Sequence, residues 1–181
     1  GLAGEGPFHN YGGAHKILNS ILVGGTGSLT AGTVLFNCTD EDLNPVSNVT
    51  YTANPDVPTA SITALLARAQ AGDTIKIPAG VYTDAANGGH ETFPLQMKAG
   101  VSLVGESAKN SIIYSNGFRL NLIEGDSADI SIENLTIEST DGWPIWIDAM
   151  SSPGGAVVKN CIIKGLGGIL VKNDVAITVD S

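Results

Sequence analysis

Three short runs in the second half of the chain share one pattern: Lys109-Asn110-Ser111-Ile112-Ile113-Tyr114, Glu133-Asn134-Leu135-Thr136-Ile137-Glu138 and Lys159-Asn160-Cys161-Ile162-Ile163-Lys164. The pattern returns at nearly even intervals, with its asparagines at Asn110, Asn134 and Asn160. A recurrence on this scale marks a solenoid, whose repeats are too small to bury an apolar face alone and must stack on their neighbours. Asn tolerates the left-handed backbone that a sharp corner requires. Stacked coils bring such a corner back about every 4.8 Å, where like amides can form a ladder. The repeat therefore predicts a parallel β-helix, with Ile112, Leu135 and Ile162 in line inside it.

Upstream of the repeat, Ile62, Leu65, Leu66 and Ala69 fall on one helical face, so a helix is expected over residues 59–71. Thr59 or Ser61 can cap its start, and Gly72 can supply the left-handed residue that ends it. Thr74-Ile75-Lys76-Ile77 then alternates like a strand, and Pro78-Ala79-Gly80 turns the chain before Val81-Tyr82. A helix placed there can cover the first coil, which would otherwise expose apolar side chains and unpaired backbone. The expected organisation is a β-helix over residues 58–181 with this capping helix, preceded by a β-rich segment over residues 1–57.

The N-terminal segment breaks the order such a stack should have. Leu18-Asn19-Ser20-Ile21-Leu22-Val23 matches the later coil pattern, and Val34-Leu35-Phe36-Asn37-Cys38 resembles another coil strand, yet both precede the capping helix. At the other end Ile169, Val171, Ile177 and Val179 lie in coil-like runs with no capping pattern after them. An uncapped parallel stack is a template for another chain. Leu18, Asn19, Ile21 and Val23 are accordingly expected to meet Ile169, Val171, Ile177 and Val179 of a neighbouring copy, head to tail.

Composition narrows the partners. Eighteen acidic residues against nine basic ones give a formal charge of -9, which repels a phosphate backbone and argues against nucleic acid. The same charge disfavours an anionic polysaccharide unless a cation bridges the two. No apolar run reaches the roughly 18 residues needed to span a bilayer, and Gly1 is not followed by a signal-peptide pattern. Asn37-Cys38-Thr39, Asn48-Val49-Thr50 and Asn134-Leu135-Thr136 match the glycosylation sequon, which favours export; ordinary turn asparagines are the plainer reading. Cys38 and Cys161 are too few for a disulfide framework, and a bridge and two separate thiols both remain open.

The residues 72–82 (Gly72-Asp73-Thr74-Ile75-Lys76-Ile77-Pro78-Ala79-Gly80-Val81-Tyr82), Phe93-Pro94-Leu95 and Gly100-Val101-Ser102-Leu103-Val104-Gly105 resemble the opening coils of the pectate-lyase-like superfamily, especially its uncharacterised secreted members. The resemblance covers about residues 59–181 and implies an all-β fold, a right-handed parallel β-helix. It says little about activity, because the superfamily holds lyases, hydrolases, esterases, adhesins and phage proteins.

A lyase of that kind would need calcium-binding aspartates and a proton-abstracting arginine. Trp146-Ile147-Asp148 is similar to the Trp-Ile-Asp-His stretch of those enzymes, but Ala149 stands where the His should be. Arg68 and Arg119 are the only arginines; Arg68 belongs to the expected helix, which leaves Arg119 the better candidate. The acid signatures of polygalacturonases and the paired aspartates of pectin esterases are missing.

Asp141 and Asp148 flank Trp143 and Trp146, a group that could stack a sugar ring and bond its hydroxyls; the plainer reading is a tryptophan filling a corner between solvated acids. His9 and His15 lack a partner at metal-ligand spacing, whereas Asp84, His90 and Glu91 share a Gly-rich loop that is either solvated or a calcium site. No other cofactor is indicated, and Gly24-Gly25-Thr26-Gly27-Ser28 reads as a turn. The expected function is that of a non-catalytic extracellular structural protein, a self-assembling cell-surface or fibre subunit. The alternative is a carbohydrate-active module, lyase-like, hydrolase-like or glycan-binding.

Overall fold

The computed structural model describes residues 48–116, 122–125, 129–148, 155–172 and 176–180, together with the backbone of five short strands before them. Those five are β1 (Lys16–Leu18), β2 (Ile21–Leu22), β3 (Val34–Phe36), β4 (Cys38–Asp40) and β5 (Pro45–Val46). β1 runs parallel to β3 and β2 parallel to β4, while β5 lies antiparallel on β4. Next come β6 (Thr50–Thr52) and the helix α1 (Ile62–Arg68).

Strands then follow in triplets. The first is β7 (Thr74–Ile77), β8 (Gly80–Tyr82) and β9 (Leu95–Met97), and the second β10 (Ser102–Gly105), β11 (Ser111–Ser115) and β12 (Ile123–Gly125). The third is β13 (Ile130–Glu133), β14 (Thr136–Ser139) and β15 (Ile145–Asp148), and the fourth β16 (Gly155–Lys159), β17 (Ile162–Lys164) and β18 (Ile169–Lys172). β19 (Ala176–Asp180) opens a fifth.

Corresponding members of the triplets pair in parallel. The first sheet runs β6-β7-β10-β13-β16-β19, the second β8-β11-β14-β17 and the third β9-β12-β15-β18. This is an all-β parallel β-helix, and each triplet is one coil. Ile75, Leu103, Ile132, Val158 and Val179 succeed one another along the first sheet, and the last of these steps, from Val158 to Val179, is the shortest.

Alternation within each strand builds the core. Ile75, Leu103, Ile132 and Val158 face inward from the first sheet, Tyr82, Ile113 and Ile137 from the second, and Leu95, Ile123 and Ile145 from the third, all buried. Each fully buried side chain of this kind contributes on the order of 1.5–3 kcal/mol. The Tyr82 hydroxyl donates to the Pro78 carbonyl at 3.3 Å, and burial, with Glu91 and Asp56 nearby, pushes its pKa up to about 12.

Leu135 is buried as expected, but Ile112 and Ile162 lie one residue along the strand from the inward column. Ile112, Thr136 and Ile162 do align across the second sheet, but on its outer face, where Ile162 is 45% exposed. The inward column is Tyr82, Ile113, Ile137 and Ile163, and Leu135 is buried at the corner before β14. Because strand side chains alternate, a one-residue error turns every residue of the run to the other face.

Two of the three repeat asparagines take the left-handed corner. Asn134 and Asn160 have φ of 57° and 51°, and their amides donate to the Lys159 and Asp180 carbonyls of the next coil. Asn110 instead sits in a turn, its amide donating to the Ser107 carbonyl.

The helix is shorter than its sequence pattern suggests. The Ser61 hydroxyl caps it by accepting from the Ala64 amide at 3.2 Å, and Ala69 already has an extended backbone. Gly72, with φ of 91°, therefore serves the turn into β7 rather than the helix end. Partners distant in sequence hold both ends. The Glu91 carboxylate accepts from the Ile62 and Thr63 amides at 2.8 Å each and from the Thr63 hydroxyl at 2.7 Å. At the opposite end the Lys98 ammonium donates to the Ala67 and Ala69 carbonyls at 2.8 and 3.1 Å. Negative charge at the start of a helix and positive charge at its end oppose the macrodipole. Buried Ile62, Leu65 and Leu66 belong to the same core as the first coil.

Candidate functional site

Among the sequence candidates, one feature outside the interior can carry function: the outer face of the third sheet around β15. On β15, Ile145 and Ile147 are buried inward, which leaves Trp146 and Asp148 on the outer face. Trp146 aligns with Glu124 of the coil before and Leu170 of the coil after. The next side chain in that row is Gln96, whose amide donates to the Glu124 carboxylate at 3.0 Å.

Trp143 has a different surrounding. It lies with Asp141 in the corner between β14 and β15, and its carbonyl accepts from the Leu122 amide at 3.4 Å. A Cβ added at Gly167 would fall 2.3 Å from the Trp143 ring, and one at Gly165 would fall 2.6 Å from Pro144 Cγ. The loop of the next coil thus lies directly on Trp143 and Pro144. The four sequence candidates divide into a corner pair, Asp141 and Trp143, and an outer-face pair, Trp146 and Asp148. Arg119 lies outside the described residues. Arg68 stands at the end of α1, its guanidinium 5.3 Å from the centre of the Tyr51 ring.

The Gly-rich loop uses its acids on its own chain. Asp84 accepts from the Asn87 amide at 3.0 Å, the Asn87 side chain at 2.7 Å and the Ser115 hydroxyl at 3.0 Å. Glu91 holds the start of α1, and His90 is exposed. Among the described residues no three His, Cys, Asp or Glu side chains are grouped to hold a metal ion.

Ile137 and Ile145 are fully buried, but Ile163 and Ile169, one coil further on, are only half-buried. Val179 stands opposite buried Val158 and is 63% exposed. Val171 lies on the same side of β18 as Ile169, and Ile177 belongs to β19. Of the N-terminal candidates, Leu18 lies in β1 and Ile21 in β2, while Asn19 and Val23 fall outside the described residues. Among the sequon asparagines, Asn48 is exposed, Asn134 is the half-buried corner described above, and Asn37 is outside the described residues.

Cys161 is a free thiol. Its sulfur lies 3.2 Å from the Lys159 carbonyl and 3.5 Å from that of Ile132, and burial raises its pKa. Since the thiolate is the reactive form, a raised pKa lowers its fraction at neutral pH. Alkylation of Cys161 in the folded protein is expected to be slower than that of a free cysteine at pH 7–8 and to keep rising at higher pH. Iodoacetamide labelling followed by peptide mass spectrometry checks it, and equal rates would contradict the burial.

A groove of about 320 Å³, not indicated by any sequence motif, is lined by Thr52, Lys76, Ile77, Pro78, Val104, Gly105 and Glu106. It lies where the first sheet turns toward the second. Among the described residues no helix is long and apolar enough to cross a membrane.

Searches of curated proteins and of solved structures gave no match. A family model described as a protein of unknown function, DUF1565, matches residues 46–143, from β5 through β6, α1 and the first two coils to the Trp143 corner. That match covers more than half of the chain, which therefore belongs to the DUF1565 family.

Proposed function

We propose that this chain is a pectate-lyase-like β-helix in structural use: a non-catalytic extracellular or cell-surface subunit that joins copies of itself head to tail. The observation that supports the reading is the pairing of β1 with β3 and of β2 with β4, which places further parallel strands ahead of the capping helix, outside the three sheets of the stack. Parallel strands of this kind can add to the stack of another copy, with backbone bonds for affinity and side-chain pockets for register. A heterologous contact of this kind propagates into a fibre unless a rotation closes it into a ring.

Sedimentation velocity across a concentration series, with electron microscopy of the largest species, tests the proposal. Growth with concentration that disappears on deleting residues 1–40 is the expected result. A full-length protein that stays monomeric at high concentration, or a truncated one that polymerises equally well, overturns it.

A second reading, as a glycan-binding or carbohydrate-active module, draws on Trp146 and Asp148 sharing the outer face of β15. Binding or turnover on a panel of neutral and acidic polysaccharides, with and without calcium, and its loss in Trp146→Ala would favour that reading.

A further inference from the structure

We infer that the groove where the first sheet turns toward the second binds a small zwitterion with an apolar side chain, of the size of a free amino acid. The inference is independent of the head-to-tail reading and of the outer face around Trp146.

The walls of the groove are held by bonds between segments distant in the chain, so its shape is preformed. The Ile77 carbonyl accepts from the Glu106 amide at 3.0 Å and from the Ser111 hydroxyl at 2.8 Å. The Pro78 carbonyl accepts from the Tyr82 hydroxyl at 3.3 Å, and the Lys76 carbonyl from the Ala53 amide at 2.8 Å. At about 320 Å³ the groove lies near the lower end of small-ligand pockets, roughly 300–1,000 Å³. That volume suits one small molecule and leaves most of a polymer outside.

The polar groups of the rim select the ligand. Lys76 stands on the outer face of β7 between Thr52 of β6 and Val104 of β10, neither of them charged. Among the described residues its ammonium makes no hydrogen bond and no ion pair, whereas Lys98 and Lys164 both have partners. Glu106 lies one strand over and two residues along from Lys76, so strand spacings put their Cα atoms about 8 Å apart. The Glu106 Oε2 accepts from the Ala79 amide at 3.2 Å, which holds this carboxylate over the turn after β7. The groove thus offers one free cation and one anchored anion beside the apolar side chains of Pro78 and Val104.

Charge decides among the molecules such a rim could take. An anion would satisfy Lys76 alone, while Glu106 and the net charge of -9 repel it. A cation would satisfy Glu106 and be opposed by Lys76. A zwitterion satisfies both and carries no net charge for the protein to repel. Its carboxylate meets Lys76 and the Thr52 hydroxyl, its ammonium meets Glu106, and its side chain lies on Pro78 and Val104. Ion pairs this exposed are weak one by one, so a Kd on the order of 1 mM is expected.

Saturation-transfer difference NMR tests the inference, because it reads ligand protons at weak affinity and tolerates assembly of the full-length protein. L-leucine is expected to bind, with its methyl protons the most strongly saturated. L-leucine amide, without the carboxylate, and N-acetyl-L-leucine, without the ammonium, are each expected to bind about fivefold more weakly. Lys76 is exposed, so Lys76→Gln should keep the parent's Tm; in it, L-leucine falls to the level of L-leucine amide, and the amide is unchanged. In Val104→Glu, which places a second acid against the ligand's carboxylate, L-leucine binding is lost. No signal from L-leucine or L-phenylalanine overturns the site. Equal binding of L-leucine and N-acetyl-L-leucine overturns the zwitterion, and L-leucine binding that survives unchanged in both variants overturns the groove as its location.

Discussion

Replacing Gly105 by alanine is expected to lower stability by about 3 kcal/mol or more, beyond the usual range for an overpacked site. Gly105 ends β10, and a Cβ there would fall 2.1 Å from the Asn134 carbonyl oxygen and 2.8 Å from Leu135 Cδ2. The first of these atoms is backbone at the corner of the next coil. That corner is itself fixed, because Asn134 sits at φ of 57° and its amide donates to the Lys159 carbonyl. The methyl group can be accommodated only by separating two coils, which strains the pairing of β10 with β13. For a chain of this size the loss corresponds to a fall in Tm of roughly 6–12 °C. Gly88→Ala is the control: its φ is 86°, but nothing lies within 4 Å of an added Cβ, so its cost is that of the left-handed backbone alone, about 1–2 kcal/mol. Thermal melts of the two variants decide the matter. Equal shifts would mean that the coils are not in the close contact described.

The architecture was legible because the repeat spacing and the Asn corners state it locally. Asn134 and Asn160 take the left-handed turn that their position before an apolar pair suggests. The facing of the strands was harder to read, since Ile112-Ile113 and Ile162-Ile163 offer two adjacent apolar residues and either can point inward. The neighbours resolve it. Tyr114 on β11 and its partner Glu138 on β14 lie on the outer face, which sends Ile113 and Ile137 into the core. The helix end could not be read locally either, because the Lys98 that binds the Ala67 and Ala69 carbonyls comes from beyond the first coil's third strand.

The candidate sites show the same division. Aromatic and acidic residue types identify Trp143, Trp146, Asp141 and Asp148 as a group, but the strand boundary at Ile145 separates a corner pair from an outer-face pair. The loop of the next coil lies on Trp143, and only stacking brings Gly167 to that ring. The groove by Lys76 and Glu106 has no motif because it is assembled from β6, the β7–β8 turn and β10. At the N-terminus the run Leu18-Asn19-Ser20-Ile21 suggests strands, and Leu18 and Ile21 do fall in β1 and β2.

Removing the Glu91 carboxylate should have an effect as large as that at Gly105, by a different route. Glu91 is 4% exposed and lies far along the chain from the Ile62 and Thr63 amides it accepts, so its bonds tie the first coil to the helix that closes the stack. In Glu91→Ala the Ile62 and Thr63 amides lose their acceptor, the Thr63 hydroxyl keeps only the Thr92 carbonyl at 3.4 Å, and a cavity opens beside α1. Buried donors left without a partner cost about 1–3 kcal/mol each, and hydrogen bonds to a charged group lie at the upper end, so a total of about 3–5 kcal/mol is expected. Glu91→Gln keeps the shape and one carbonyl acceptor but turns an NH2 toward a second donor, and should cost about 2 kcal/mol. A urea titration ranks the three proteins. Ser61 still caps the Ala64 amide in both variants, so helix formation alone would be only mildly affected. The distinguishing measurement is hydrogen exchange at the Leu65 and Ala69 amides, whose bonds to the Ser61 and Leu65 carbonyls report α1. If Glu91 anchors the cap, these amides lose protection before those of β13 and β14, which lie two coils away. Uniform loss along the stack would mean that the helix and the coils unfold as one unit and that Glu91 has no special hold on the cap.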